Sequence, residues 1–177
     1  SAVVLWPLVP PGTPGFITIA LMMVAGFAAG AAWGFVPGYL KARFNVNEII
    51  ISLLMVYVAQ LFNRFWVFGP WSEGGFQLSA QFPRDTWLPR LTDLSASVPA
   101  FGGLTVHLGL LFGLVAAAFV WFILKRSSWG YEIRLLGDNP GAARYAGVNI
   151  GRNTILVFML SGGLPGLAGM NEVTGVV

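Results

Sequence analysis

Of the 177 residues, 56% are hydrophobic and 10% charged, with a mean hydropathy of +0.73; soluble domains carry roughly a quarter charged residues, so a membrane chain is expected and a water-soluble globule excluded. The lack of cysteine and the single histidine, His107, remove disulfides, thiolate chemistry and cysteine-bound zinc, and argue against a protein-bound transition metal. The formal net charge of +3 sits on basic residues beside apolar runs, where charge sets orientation in the bilayer, so no nucleic-acid partner is read from it.

The apolar start, residues 2–9, has no basic region of the signal-peptide kind. A chain that opens on Ser1 and stops at Val177, just past an apolar run, reads as a portion of a longer protein. The first span is residues 15–40, nearly free of charge and about 37 Å long as a helix. Gly26 and Gly30 lie one turn apart within it, among Ala25, Ala28, Ala29 and Ala31, and such a face lets another helix approach closely. Residues 49–68 form the second span, 104–124 the third and 155–170 the fourth. The expected fold is all-α, a polytopic membrane helical bundle forming one transmembrane domain over residues 1–177.

Orientation follows from lysine and arginine near span ends. Lys41, Arg43, Lys125, Arg126, Arg134, Arg144 and Arg152 fall on one side, against Arg64, Arg84 and Arg90 on the other. This puts residues 125–152 in the cytoplasm and 69–103 outside. Pro70, Pro83, Pro89 and Pro99 argue against a further crossing in that outer loop. Trp66, Trp71 and Trp87 suit an aromatic belt at the outer surface, with Trp121 and Trp129 at the inner one.

Catalytic motifs are missing. There is no Gly-x-x-x-x-Gly-Lys-[Ser/Thr] loop to cradle nucleotide phosphates, and one histidine outside a nucleophile elbow offers no catalytic triad. His107 lies at the outer end of its span without a neighbouring carboxylate, which suits an interfacial residue better than a proton relay. Gly162, Gly163, Gly166 and Gly169 surround Pro165 in an apolar run, a pattern for close helix packing with a kink. Glu48 and Glu172 each follow an asparagine beside an apolar run; facing a cavity and lying among headgroups both remain open for them.

The polar segment 125–152 holds a short punctuated helix. Asp138 and Asn139 offer N-cap side chains, Pro140 suits the first helical position and Gly147 the C′ position. The helix, residues 140–146, is far below the roughly 12 to 15 residues needed for marginal stability alone. Something must pack against it. Ala142 and Ala143 leave a flat surface from which Arg144 and Tyr145 project, a combination suited to a groove on another protein.

The stretch from Gly130 through Val148 (GYEIRLLGDNPGAARYAGV) resembles the coupling loop of permease subunits of bacterial ATP-binding-cassette importers, in the branch for simple sugars, nucleosides and branched-chain amino acids. Residues 161–169 (SGGLPGLAG) resemble that family's glycine-rich span, and residues 40–50 (LKARFNVNEII) its nucleoside-type members. The chain departs from the nucleoside pattern at Val56-Tyr57, where Asn-Tyr is usual, and has Pro165 where alanine is more frequent. Full permeases of this kind are considerably longer, with spans on both sides, so a middle portion is implied.

The resemblance implies a multi-pass permease of the bacterial inner membrane that moves a small polar solute, a nucleoside or simple sugar. Its implied partners are a cytoplasmic ABC ATPase, a second permease subunit and an extracytoplasmic substrate-binding protein. ATP and magnesium would belong to the ATPase, leaving this chain without cofactor or catalytic residue. Gly130, Glu132, Arg134, Gly137, Asp138, Asn139, Pro140, Ala142, Ala143, Arg144, Tyr145 and Gly147 are the implied coupling residues. Asn47, Glu48, Ser52, Tyr57 and Glu172, polar beside apolar runs, are candidates for lining the solute path. Two rival readings are an ion-coupled secondary transporter, disfavoured by few charges inside the spans and no evident inverted repeat, and a membrane scaffold without transport.

Overall fold

The computed structural model describes residues 15–70 and 109–175, and side chains within 17–70 and 110–170. The expectations for His107, Trp71, Trp87, Arg84, Arg90, most of the outer loop and the Glu172 side chain lie outside these residues. Every regular element among the described residues is helical: α1 (Gly15–Phe44), α2 (Glu48–Phe68), α3 (Gly109–Arg126), α4 (Ser128–Asp138), α5 (Pro140–Tyr145) and α6 (Ile150–Gly175). Three of them are long and apolar enough to cross a membrane, with a fourth if α3 and α4, which meet at 76°, make one broken span. The protein is an all-α membrane bundle.

The spine of the bundle is the antiparallel pair α1 and α6. Gly26, Gly30 and Gly34 recur every four residues on α1, and Gly162 and Gly166 do so on α6, so each set forms one ridge. The ridges meet backbone to backbone: a Cβ on Gly26 would stand 2.9 Å from the Gly166 carbonyl oxygen, and one on Gly30 would collide with that of Gly162. Met22 and Met170 close one end of this contact in the buried core. Both helices run on past a proline, Pro37 in α1 and Pro165 in α6, as membrane helices tolerate when neighbours and local adjustments satisfy the freed carbonyls.

The antiparallel pairing sets the end of α1 beside the start of α6, where a Cβ on Gly151 would be 3.8 Å from Ala42. The turn from α1 to α2 and the 125–152 segment therefore share one end of the bundle. Asn45 takes the left-handed conformation (φ 51°) that asparagine tolerates, and the Asn47 side chain accepts the Ile49 N–H at 2.9 Å to cap α2. Lys41 and Glu48 bridge the turn at 2.6 Å. Lys41 and Arg43 in the last turn of α1 and Glu48 in the first of α2 complement the two helix dipoles.

Outside the spine the helices are lightly packed. Ile51 is the buried residue of α2, while Leu54, Leu61, Phe65 and, on α3, Leu114 and Phe119 are exposed; such faces suit lipid or further membrane helices. A broad apolar groove of about 940 Å³ runs between α1, α3 and α6, with Phe27, Val120 and Leu164 in its walls.

Because the α1–α6 contact has no room for a side chain, Gly30→Ala is expected to cost about 1–3 kcal/mol through overpacking. Gly113→Ala on α3, whose Cβ would meet nothing within 4 Å, is the control. Thermal unfolding of the two variants in detergent checks this, and equal midpoints would contradict the packing.

Candidate functional site

Sequence reading treats residues 125–152 as a loop bearing one short helix, whereas the structure shows two helices and a corner. At the corner the Ser127 side chain accepts the Gly130 N–H at 2.9 Å and donates to the Ile123 carbonyl at 2.6 Å. A Cβ on Gly130 would collide with the Ile123 carbonyl, so only glycine lets α4 leave α3 this closely. Arg134 reaches back from α4 and donates to the Leu124 carbonyl at 2.6 Å, one of the carbonyls a helix end leaves without partner. Gly130 and Arg134 thus serve the bend itself.

Glu132 points the other way, into a buried polar joint. Asn153, on the first turns of α6 and 0% exposed, donates to the Glu132 carboxylate at 2.8 Å and accepts from the Trp129 indole N–H at 3.2 Å. A carboxylate partner makes the first of these a charge-assisted bond. One side chain therefore ties α4 to α6 at two points, and α6 is in turn locked to α1. Trp129 spends its polar edge on this joint; Trp121 is exposed, with Lys125 Nζ 5.6 Å from its ring.

The short helix α5 is finished at both ends by its own sequence. Asn139, rather than Asp138, is the N-cap, its side chain accepting the Ala142 N–H at 3.0 Å. At the other end Gly147 has φ +76°, and the bonds Gly147 N–H to Arg144 carbonyl (3.1 Å) and Val148 N–H to Ala143 carbonyl (3.0 Å) complete a Schellman motif. Asn149 starts α6 by accepting the Arg152 N–H at 3.0 Å. Ala143 is 0% exposed and lies against the chain's own helices, while Ala142 is half-buried. Arg144 and Tyr145 project, and Tyr145 is 97% exposed. With Pro140 and Gly141 they border a shallow recess. Gly137 and Asp138 are exposed at the end of α4.

The five path candidates do not converge. Asn47 is occupied as a cap and Glu48 in its ion pair, both at the α1–α2 turn. Ser52 lines a groove of about 680 Å³ between α1, α2 and α6, while Tyr57 is exposed and not among its walls. Glu172 belongs to the last turns of α6. The same groove is lined by Trp33, Gln60, Asn63 and Ser161, which sequence reading did not place on the path. Asn153 was also missed, although an amide in the first turns of an otherwise apolar span was the available signal.

A helical membrane bundle accords with the comparisons to known proteins. The family described as the permease component of branched-chain amino acid transport systems matches residues 1–177. The chain belongs to this permease family. Over 167 residues the permease is 35% identical to the guanosine ABC transporter permease protein NupP of Bacillus subtilis, covering 92% of this chain and 45% of NupP. It is 35% identical over 175 residues to the glucose ABC transporter permease protein TsgB13 of Haloferax volcanii (96% and 46%). Over 160 residues it is 31% identical to the galactose/methyl galactoside import permease protein MglC of Escherichia coli (87% and 43%). The permease chain thus spans a little under half the length of these relatives. No solved structure matches it. Family membership favours the importer reading over an ion-coupled transporter or a scaffold.

Removing the joint has a predictable cost. Asn153→Ala leaves the Glu132 carboxylate and the Trp129 N–H without their partner, a penalty of about 1–3 kcal/mol. Amide hydrogen exchange across residues 128–138 is expected to speed up by about tenfold or more, while exchange in the middle of α1 stays unchanged; unaltered exchange in α4 would rule out the joint as its anchor.

Proposed function

We propose that this chain is the central part of the membrane subunit of an ABC importer. The subunit carries a small polar solute, a nucleoside or simple sugar, across the bacterial inner membrane. The observation that carries this reading is α5: a helix of six residues, capped at both ends, with Ala143 turned inward and Arg144 and Tyr145 presented outward. Exposed arginine and aromatic side chains on a rigid element are the usual anchors of a protein interface. The relatives named as guanosine, glucose and galactose permeases support the solute class.

The partner on α5 is a cytoplasmic ABC ATPase, which supplies ATP and magnesium, while the matching family is described as a permease component. A second permease subunit completes the membrane portion, and an extracytoplasmic binding protein delivers solute from the other face. Closure of the ATPase dimer displaces α5 together with α4, and the joint between α4 and Asn153 carries the displacement into α6. A ligand shifts an equilibrium only through differential contacts with its two states, and α5 is where the ATPase makes them.

Arg144→Glu in the complete importer tests the docking. It is expected to weaken co-purification of the ATPase by about thirtyfold or more, the scale of an interface hot spot, and to abolish uptake at unchanged permease expression. Wild-type recovery of the ATPase would reject α5 as its site. Alanine at Asn47, Glu48, Ser52, Tyr57 and Glu172 is expected to lower uptake for at least one position, and five neutral results would reject this set as path residues.

A further inference from the structure

The groove between α1, α2 and α6 holds a polar stripe of which the preceding assignments use only Ser52. Ser52, Gln60 and Asn63 fall at i, i+8 and i+11 on α2 and so share one face. Ser161 of α6 and Trp33 of α1 stand in the same walls. From Ser52 to Asn63 the stripe covers about 16 Å of helix, roughly half the hydrocarbon thickness. Polar side chains at membrane depth face other protein or a wet cavity rather than lipid. Among the described residues, the side chains of Ser52, Gln60, Asn63 and Ser161 form no hydrogen bond, and all four residues are exposed in the groove. They do not glue these helices together.

Resting on the importer reading, we propose that Gln60 and Asn63, with Trp33, form a solute-contacting wall of the permeation path and determine which solute passes. Two amides offer both donors and acceptors, and the Trp33 ring gives a flat apolar face. None of the described residues lining the groove carries a charge. That combination suits an uncharged ring-shaped solute rich in hydroxyl or amide groups, and offers nothing to compensate the desolvation of a zwitterion. The chemistry is shared by nucleosides and hexoses, so the probes are guanosine, glucose and leucine.

The 177 residues contain no cysteine, so every thiol introduced into this segment is identifiable. In the complete importer, Gln60→Cys and Asn63→Cys are expected to react with a charged, water-borne thiol reagent, located by mass spectrometry, and to be protected by the transported probe. Val58→Cys and Leu61→Cys, exposed on α2 but outside the groove, are expected to stay unmodified. Gln60→Leu and Asn63→Leu should each raise KM for the transported probe by about 2- to 10-fold, the worth of one hydrogen bond, with co-purification of the ATPase unchanged. Unreactive thiols at 60 and 63, or reactive ones whose leucine variants leave KM and probe preference unaltered, overturn the proposal. Uptake that survives loss of the ATPase overturns the importer reading instead, and the labelling pattern does not depend on that result.

Discussion

Everything in this bundle hangs from the approach of two backbones, α1 and α6, across a seam without side chains. In hydrocarbon there is no hydrophobic gain from bringing helices together, because lipid tails are as apolar as leucine. What remains is dispersion between well-fitted surfaces, and it falls off steeply with small gaps. Gly26, Gly30 and Gly34 against Gly162 and Gly166 make the fit close enough for this to hold the pair. The other helices lack such a seam, and their large apolar side chains stay exposed. The spine is therefore one rigid unit, and α2 and α3 are elements arranged around it.

At the end of that unit the chain changes material. The spine is held by backbone contact, but the arm of α4 and α5 is held by directed hydrogen bonds: Ser127 and Arg134 at the corner, Asn153 at the joint. The two modes suit their surroundings. Packing without polar groups needs no water, whereas a buried amide between a carboxylate and an indole N–H is satisfied only in one arrangement of the three. Asn153 thus fixes the direction in which α4 points as well as the strength of its attachment.

How far the sequence reveals this differs from residue to residue. Asn139, Pro140 and Gly147 state the limits of α5 locally, because caps act within a few residues of chain. The small face of α1 is equally legible, but its partner is not: Gly26 cannot name Gly166, since the pairing of spans depends on topology. Helix α4 is hidden for a different reason. Gly130 and Gly137 read as loop residues, and the helix stands because Gly130 fits against α3 and Trp129 and Glu132 reach an asparagine 24 and 21 positions away. Such separations close only after the 76° bend exists. The groove is legible in half: polar positions on α2 are visible one by one, while the shared wall with Trp33 and Ser161 requires three helices to be assembled.

The order of rigidity has a mechanical consequence for the proposed cycle. A push delivered at Tyr145 meets a helix too short to bend and no slack at Ala143, which is fully enclosed. The next place along the chain is the Asn153 joint, whose hydrogen bonds tolerate little extension before they are lost. Force therefore passes through to α6, and from α6 to α1 by the glycine seam, so the two must move together. The polar groove lies on the border of this moving pair with α2, which packs loosely against it and leaves most of its large side chains exposed. Relative motion between the spine and α2 would then widen or narrow the polar groove in their common wall. In the proposed cycle a displacement of the short helix would thus reach the proposed solute path through two joints, one polar and one made only of backbone.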